Sequence, residues 1–283
     1  HLSLSQIYKG LRKGLIKVNN KKVQQDHKVN SDDKIQIASF LLEEIETTNQ
    51  TKKDLFQENM LPEIIFQNEH IIIFNKPRGL NVQKSKKDEI ALDEIVKNFY
   101  EKKKSNDSLS FVPGPLHRLD KNTTGLITFS MSIEGARWFS KNIQNHNIKK
   151  KYRGIVENTL IHKEEWNDLI KKNDNSEKFK TVLISKDDGK TAITTVTPLK
   201  SFKINNNELT YVEYDIKTGR QHQIRAQSSK HNFPLFGDTA YGGKSNSNKH
   251  TFYLHAYELS FPKNELGIPE KIIAPLPKDF SDF

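Results

Sequence analysis

Apolar and polar positions alternate in two blocks, separated by a polar stretch. In the first block Ile7 and Leu11 recur at helical spacing after Ser5, a capping residue, and Gly14 stands where such a helix would end. Leu15-Ile16-Lys17-Val18 reads as a strand, Asn19-Asn20 as a tight turn and Lys22-Val23 as the return strand. Lys34-Ile35-Gln36-Ile37 closes the block after the polar turn Ser31-Asp32-Asp33. These features define a small domain over residues 1–40. Residues 41–61, rich in Glu, Thr, Asn, Gln and Lys, read as a linker, and a larger domain is expected over 62–283.

In the larger block Ile64-Ile65-Phe66 and Ile71-Ile72-Ile73-Phe74 read as strands joined by a turn at Asn68-Glu69. Leu92, Ile95, Val96 and Phe99 mark a helix, and residues 103–109 a polar loop. Pro113 and Pro115 make 111–115 a rigid, extended turn, and Leu126–Phe129 an apolar strand. Ser132 is placed to cap a helix running to about Gln144, with Ala136, Phe139 and Ile143 inward and Trp138 in the core. Residues 149–156, 191–198 and 209–216 alternate as strands, whereas 157–190 are polar and low in signal, read as a helix and a loop over one edge. Hairpin-like neighbours without regular βαβ alternation argue for an α+β fold.

Composition narrows the function. Lys and Arg outnumber Asp and Glu by 45 to 35 in 283 residues, a net charge of +10 that suits a polyanionic partner. The absence of cysteine excludes disulfides, cysteine zinc sites and thiol catalysis. No apolar run is long enough to span a membrane and no signal peptide is visible, so a cytoplasmic protein is expected. The first residue is His1 rather than Met, so the natural start is expected to lie upstream.

Two stretches carry chemistry. His117-Arg118-Leu119-Asp120-Lys121-Asn122-Thr123-Thr124-Gly125 sits between the proline turn and the apolar strand, so Asp120 lies on a loop pinned at both ends. Arg118 and Asp120, two apart, point to one side of an extended chain. Protein kinases carry His-Arg-Asp-Leu instead, and neither their Gly-rich loop nor Asp-Phe-Gly occurs here. In Thr218-Gly219-Arg220-Gln221-His222-Gln223-Ile224-Arg225, Gly219 permits a sharp turn and the following run reads helical, with His222 and Arg225 on one face. Gly242-Gly243-Lys244-Ser245 is not a phosphate loop, because Asp238 stands where its first glycine belongs.

Together these stretches resemble the pseudouridine synthases of the ribosomal large-subunit, RluA/RluC type, whose motifs read His-Arg-Leu-Asp…Thr-Ser/Thr-Gly and Thr-Gly-Arg-x-His-Gln-Ile/Leu-Arg. Asn75-Lys76-Pro77-Arg78-Gly79 resembles the family's first motif, although Gln83 replaces its usual His, and Pro77 and Gly79 read as turn formers. Lys149–Val156 resembles its Lys-x-Tyr strand; Gly237-Asp238, Tyr241-Gly242 and Leu254-His255-Ala256 resemble later landmarks, with His255 structural. Residues 4–37 resemble an S4 RNA-binding domain, with Asn20 and Asp32 in glycine positions and the first helix absent or truncated. The resemblance implies a mixed, mostly antiparallel central sheet preceded by a small α/β S4-like domain, with the cleft across the sheet's middle.

It further implies isomerisation of uridine in large-subunit (23S) ribosomal RNA, without metal or cofactor, by a monomer. Asp120, Tyr152 and Arg225 are the expected catalytic residues, Asp120 acting ionised as nucleophile or as base toward a sugar proton, with Arg225 as its partner. Arg118, His117, Ile224, Arg220 and His222 are the expected substrate contacts. Lys9, Arg12, Lys13, Lys17, Lys21 and Lys22 would form the RNA-binding face of the small domain. A single motif carboxylate fits a reaction that keeps its leaving base, whereas a glycosidase would show two. A tRNA-directed synthase shares the same chemistry, and a non-catalytic RNA-binding or folding factor shares the scaffold.

Overall fold

A computed structural model describes residues 4–39, 60–85, 89–103, 111–173, 181–204, 207–245 and 251–280. The chain divides into two compact units, 1–60 and 61–283. Apart from Met60 and Leu61, the expected linker lies outside the described residues, and so does the expected polar loop beyond Lys103.

In the small unit, helix α1 (Leu4–Lys13) precedes strands β1 (Ile16–Val18), β2 (Lys21–Lys22) and β3 (Ile35–Ile37), which pair antiparallel in the order β2-β1-β3. Gly14 ends the helix in the left-handed region, and Asn19 and Asn20 make the hairpin turn there too, a conformation Asn tolerates. The Asn19 amide donates to Asp33 at 2.7 Å and its oxygen accepts from the Lys34 N–H, which ties the polar turn back onto the hairpin. The core is minimal: Ile16 and Val18 are buried, and Ile16 packs against the bare Cα of Gly10. Lys9, Arg12, Lys13, Lys17, Lys21 and Lys22 are all exposed.

In the larger unit, β4 (Glu63–Gln67) and β5 (Ile71–Lys76) form a hairpin, followed by α2 (Leu92–Lys103), β6 (Thr124–Ser130) and α3 (Ile133–Gln144). Strands β7 (Lys149–Glu157), β8 (Glu164–Lys172), β9 (Val182–Ser185), β10 (Lys190–Ile204) and β11 (Asn207–Ile216) come next. Helix α4 (Gln223–Lys230), β12 (Leu254–Ser260) and β13 (Lys271–Ile273) complete it. These strands form one mixed sheet in the order β4-β5-β6-β12-β7-β11-β10-β8-β9, with β13 on β12. Among the described residues only β6 and β12 pair parallel, so the sheet is mostly antiparallel, as expected.

Four local expectations are corrected. Helix α1 already includes Leu4, so Ser5 lies within its first turn rather than capping it. The polar stretch 157–190 contains β8 and β9 rather than a helix; Trp166 and Ile170 point inward four residues apart, an even spacing that suits a strand, while most of the remaining residues face solvent and dilute the signal. The buried stripe of α3 is Gly135, Phe139 and Asn142, so Ala136 is only half-buried; the Ser132 cap is present, accepting from the Gly135 N–H at 3.0 Å. Finally, α4 starts at Gln223, one residue after His222.

The parallel pair positions the site. Ala256 on β12 faces Gly125 on one side and Tyr152 on the other, so the end of the Asp120 loop and the Tyr152 strand are separated by one strand. Any side chain at Gly125 (φ 102°) would collide with the Ala256 backbone, which explains the glycine that ends the motif. Thr124 donates or accepts at 2.8 Å with Nδ1 of the fully buried His255, so its hydroxyl ties the same two strands.

Candidate active site

A cleft of about 490 Å³ opens between the 116–123 loop, β7 and the 216–225 segment. Asp120 stands at its side, in reach of two groups: Arg225 Nη1 lies 3.3 Å from Oδ2 and His222 Nε2 3.6 Å from Oδ1. The principal partner of Arg225 is a second carboxylate. Its Nε and Nη2 donate to Asp238 at 2.7 and 2.8 Å, a forked geometry that leaves Nη1 aimed at Asp120. The guanidinium is also sandwiched between the rings of Phe252 at 4.4 Å and Tyr241 at 4.8 Å. Burial opposes its charge, but Asp238, with Asp120 and Tyr241 adding to it, outweighs burial and raises its pKa.

His222 is not on the helix face with Arg225. It caps α4 in a left-handed conformation (φ 51°), and this turn brings both side chains to Asp120. Its Nδ1 lies 2.9 Å from the Tyr241 hydroxyl, which already accepts the Val182 N–H at 2.8 Å. When the hydroxyl proton is given to Nδ1, the ring proton sits on Nε2, facing Asp120. Burial lowers the His222 pKa, against the pull of Asp120, and burial raises that of Tyr241 to about 12.

The helix carrying Arg225 is fastened by glutamines. The Gln223 oxygen accepts from Thr218 Oγ1 at 2.8 Å and the Arg220 N–H at 3.0 Å, while its amide donates to Thr194 Oγ1 and the Ile193 carbonyl of β10. Gln227 repeats this one turn on, to Thr194, Ala192 and Asp168.

Tyr152 projects from β7 into the same cleft, nearly buried. Burial, and then the charge of Asp120, raise its pKa, so it is held as a phenol. Ile224 is buried in the wall; Arg118 and Arg220 line the exposed rim, with Arg220 Nε donating to the Thr191 carbonyl. His117 also lines the cleft, but its Nε2 accepts the Thr128 N–H at 3.0 Å and its ring stacks on Phe139. Burial, then the charge of Lys150, push His117 down to about 3, so it is a neutral brace joining the catalytic loop to β6.

Lys76 fastens the other side of that loop. It is fully buried at the end of β5, and its ammonium donates to the carbonyls of Pro77, Leu80 and Lys121 at 2.9–3.0 Å. Burial lowers its pKa to about 7, with Asp120 pulling upward. A lysine after a run of Ile and Phe signals only a strand end; the carbonyls it gathers come from two turns far apart in sequence. Asp238, Tyr241 and Lys76 were not legible as site residues, although all three fall within motif-like stretches.

The family description "RNA pseudouridylate synthase" matches residues 70–230. The chain is 29% identical over 269 residues to an uncharacterised RNA pseudouridine synthase of Mycoplasma genitalium, covering 92% of this chain and 82% of the relative. It is 27% identical to ribosomal large subunit pseudouridine synthase C of Buchnera aphidicola, over 99% and 87% of the two chains. Against ribosomal large subunit pseudouridine synthase D of Borreliella burgdorferi the identity is 30%, over 78% and 67%. In structure it is similar to human RNA pseudouridylate synthase domain containing 1, with a TM-score of 0.62 at 18% identity over 75% and 82% of the chains, a likeness of fold.

Proposed function

Because this chain belongs to the RNA pseudouridylate synthase family, we propose that it isomerises specific uridines of large-subunit ribosomal RNA, with Asp120 as the essential carboxylate. The observation that carries this reading is the placement of Asp120 between Arg225, His222 and Tyr152 in one cleft. The N1–C1′ bond breaks, the uracil is retained and turned, C5 bonds to C1′, the proton on C5 leaves and N1 takes up a proton. The product is therefore an isomer of the substrate.

Asp120 starts the reaction as a carboxylate, either attacking the sugar carbon or removing a sugar proton. The Arg225 guanidinium and the His222 ring orient it. Tyr152, kept protonated, serves as a ring platform for the uracil and as a hydroxyl donor rather than as an anionic base. A uridine in folded RNA must leave its stack to reach Asp120, at roughly a few kcal/mol. Arg118 and Arg220 on the rim suit its phosphates, and Ile224 its apolar face.

The small unit supplies grip in this reading, as an S4-like RNA-binding domain. Lys9 lies three and four residues before Arg12 and Lys13, so the three share a face of α1. Lys17 and Lys22 sit directly opposite each other in the β1–β2 pair, both exposed. Like charges so placed are destabilising by a few tenths of a kcal/mol to about 1, which a polyanion would offset.

The test is to map pseudouridines in RNA from cells with and without the gene. Loss of sites in large-subunit ribosomal RNA is expected. Loss confined to tRNA would move the substrate, and no loss anywhere would overturn the assignment.

A further inference from the structure

Five cationic side chains line the cleft, against one carboxylate, Asp120. Three are engaged: Arg225 with Asp238 and Asp120, Lys217 with Glu165, and Arg220 with the Thr191 carbonyl. Among the described residues, Arg118 and Lys150 make no hydrogen bond or ion pair. Arg118 is exposed and can be hydrated. Lys150 is half-buried, and burial lowers its pKa.

The lysine run on β7 is divided between the two faces of the sheet. Lys151 pairs with Glu213 at 3.0 Å, while Lys150, two residues before Tyr152, shares the face of Tyr152 and lines the cleft with it. Its ammonium rests over Gly219, where an added Cβ would lie 3.2 Å from Nζ with nothing else within 4 Å. Gly219 is not in the left-handed region, so its bare Cα serves space rather than turn geometry. The ammonium faces the open cleft with no acceptor from the described residues, so an anion arriving from outside can pair with it.

Resting on the pseudouridine synthase reading, we propose that Lys150 binds a backbone phosphate of the RNA strand beside the flipped uridine. Two strand residues separate Lys150 from Tyr152 by about 7 Å, so the ammonium stands off the base platform, toward the backbone of a nucleotide whose base lies on Tyr152. A compact ammonium suits a single phosphate oxygen.

The experiment uses the full chain and a large-subunit ribosomal RNA transcript carrying 5-tritiated uridine, with tritium release in single turnover across a salt series. Lys150→Met should raise the half-saturating RNA concentration about tenfold, the worth of one charge-assisted hydrogen bond, and leave the rate at saturation within about threefold. The slope of log affinity against log salt should fall by about 0.7–0.9. Lys150→Arg should restore most of the affinity, and with Lys150→Gln it carries the test if the Met variant does not fold. Unchanged affinity and salt slope in an active variant would overturn the proposal, as would a collapse of the saturated rate at unchanged affinity. If the wild-type chain itself releases no tritium from ribosomal or transfer RNA, the synthase reading fails instead.

Discussion

The small unit and the cleft use positive charge in opposite ways. In the small unit the six basic side chains of the expected RNA-binding face stand exposed beside a core in which, among the described residues, Ile16 and Val18 are the buried hydrophobics, and two of the six face each other across a hairpin. In the cleft Arg225 is nearly buried, forked onto Asp238, stacked between two rings and only then directed at Asp120. Exposed charge is screened by salt and tolerates imprecise placement; buried charge acts at a fixed geometry and cannot be moved without loss. The contrast separates grip from chemistry.

The sharpest way to break that separation is at its chemical end. Asp120→Asn keeps the shape of the loop and should reduce tritium release by roughly 10³-fold or more while RNA affinity changes only a few-fold. Turnover near the wild-type rate would remove Asp120 from the chemistry. Next in size is Asp238→Asn, which strips the buried guanidinium of its main partner. It should cost about 3 kcal/mol in thermal or denaturant unfolding and lower the saturated rate roughly 10- to 100-fold, with affinity intact. A fall in stability with an unchanged rate would mean that the rings alone aim Arg225.

At the other end, Lys17→Ala with Lys22→Ala should leave the saturated rate unchanged and weaken RNA binding, flattening the salt slope by about 0.7–0.9 for each phosphate no longer neutralised. Stability should rise slightly, by up to about 1 kcal/mol, as the like-charge pair disappears. Unaltered binding across the salt series would end the case for an RNA-gripping small unit. The smallest effect concerns Glu89, which accepts from Lys121, Ser85 and Asn81 at 2.7–2.9 Å and so steadies the residue after Asp120. The Lys121 hydrogen bond, followed by those from Ser85 and Asn81, lowers its pKa to about 2. The ionised form therefore favours folding: the gain is complete above the ordinary glutamate value of 4.5 and disappears as the pH falls through about 2. Glu89→Gln should lower the melting temperature modestly near neutral pH and hardly at all at about pH 2, and equal shifts at both would refute the linkage.

The contrast also explains what could be read from the chain in advance. Asp120, Tyr152 and Arg225 lie in contiguous runs with strong local patterns, and the cleft unites them. The β5 and β6 strands were plain because their residues are buried almost without interruption. The strands β8 and β9, at one end of the sheet, were missed because few of their positions are buried and little alternation is left to detect. Asp238 was visible only as part of a Gly-Asp landmark, since nothing local says that its carboxylate meets a guanidinium thirteen residues earlier. His222 was placed on the wrong side of a helix boundary, because a non-glycine residue in the left-handed region has no strong sequence signature. Lys76 looked like the polar end of a strand, while its role depends on Leu80 and Lys121 folding back over it.

The parallel β6–β12 pair has a consequence during synthesis. Gly125 and Ala256 are neighbours in the sheet although most of the larger unit lies between them in sequence, and Ala256 also sets Tyr152 in place. When the ribosome has made the Asp120 loop, and even when it has made Arg225, the strand that spaces them from Tyr152 is still missing. The loop, β7 and α4 must wait, with their lysines and arginines uncovered, until the chain beyond Leu254 arrives and is threaded between two strands already made. Such a late, long-range closure is intrinsically slow. A nascent chain therefore carries its basic residues well before the central gap in the sheet can be filled.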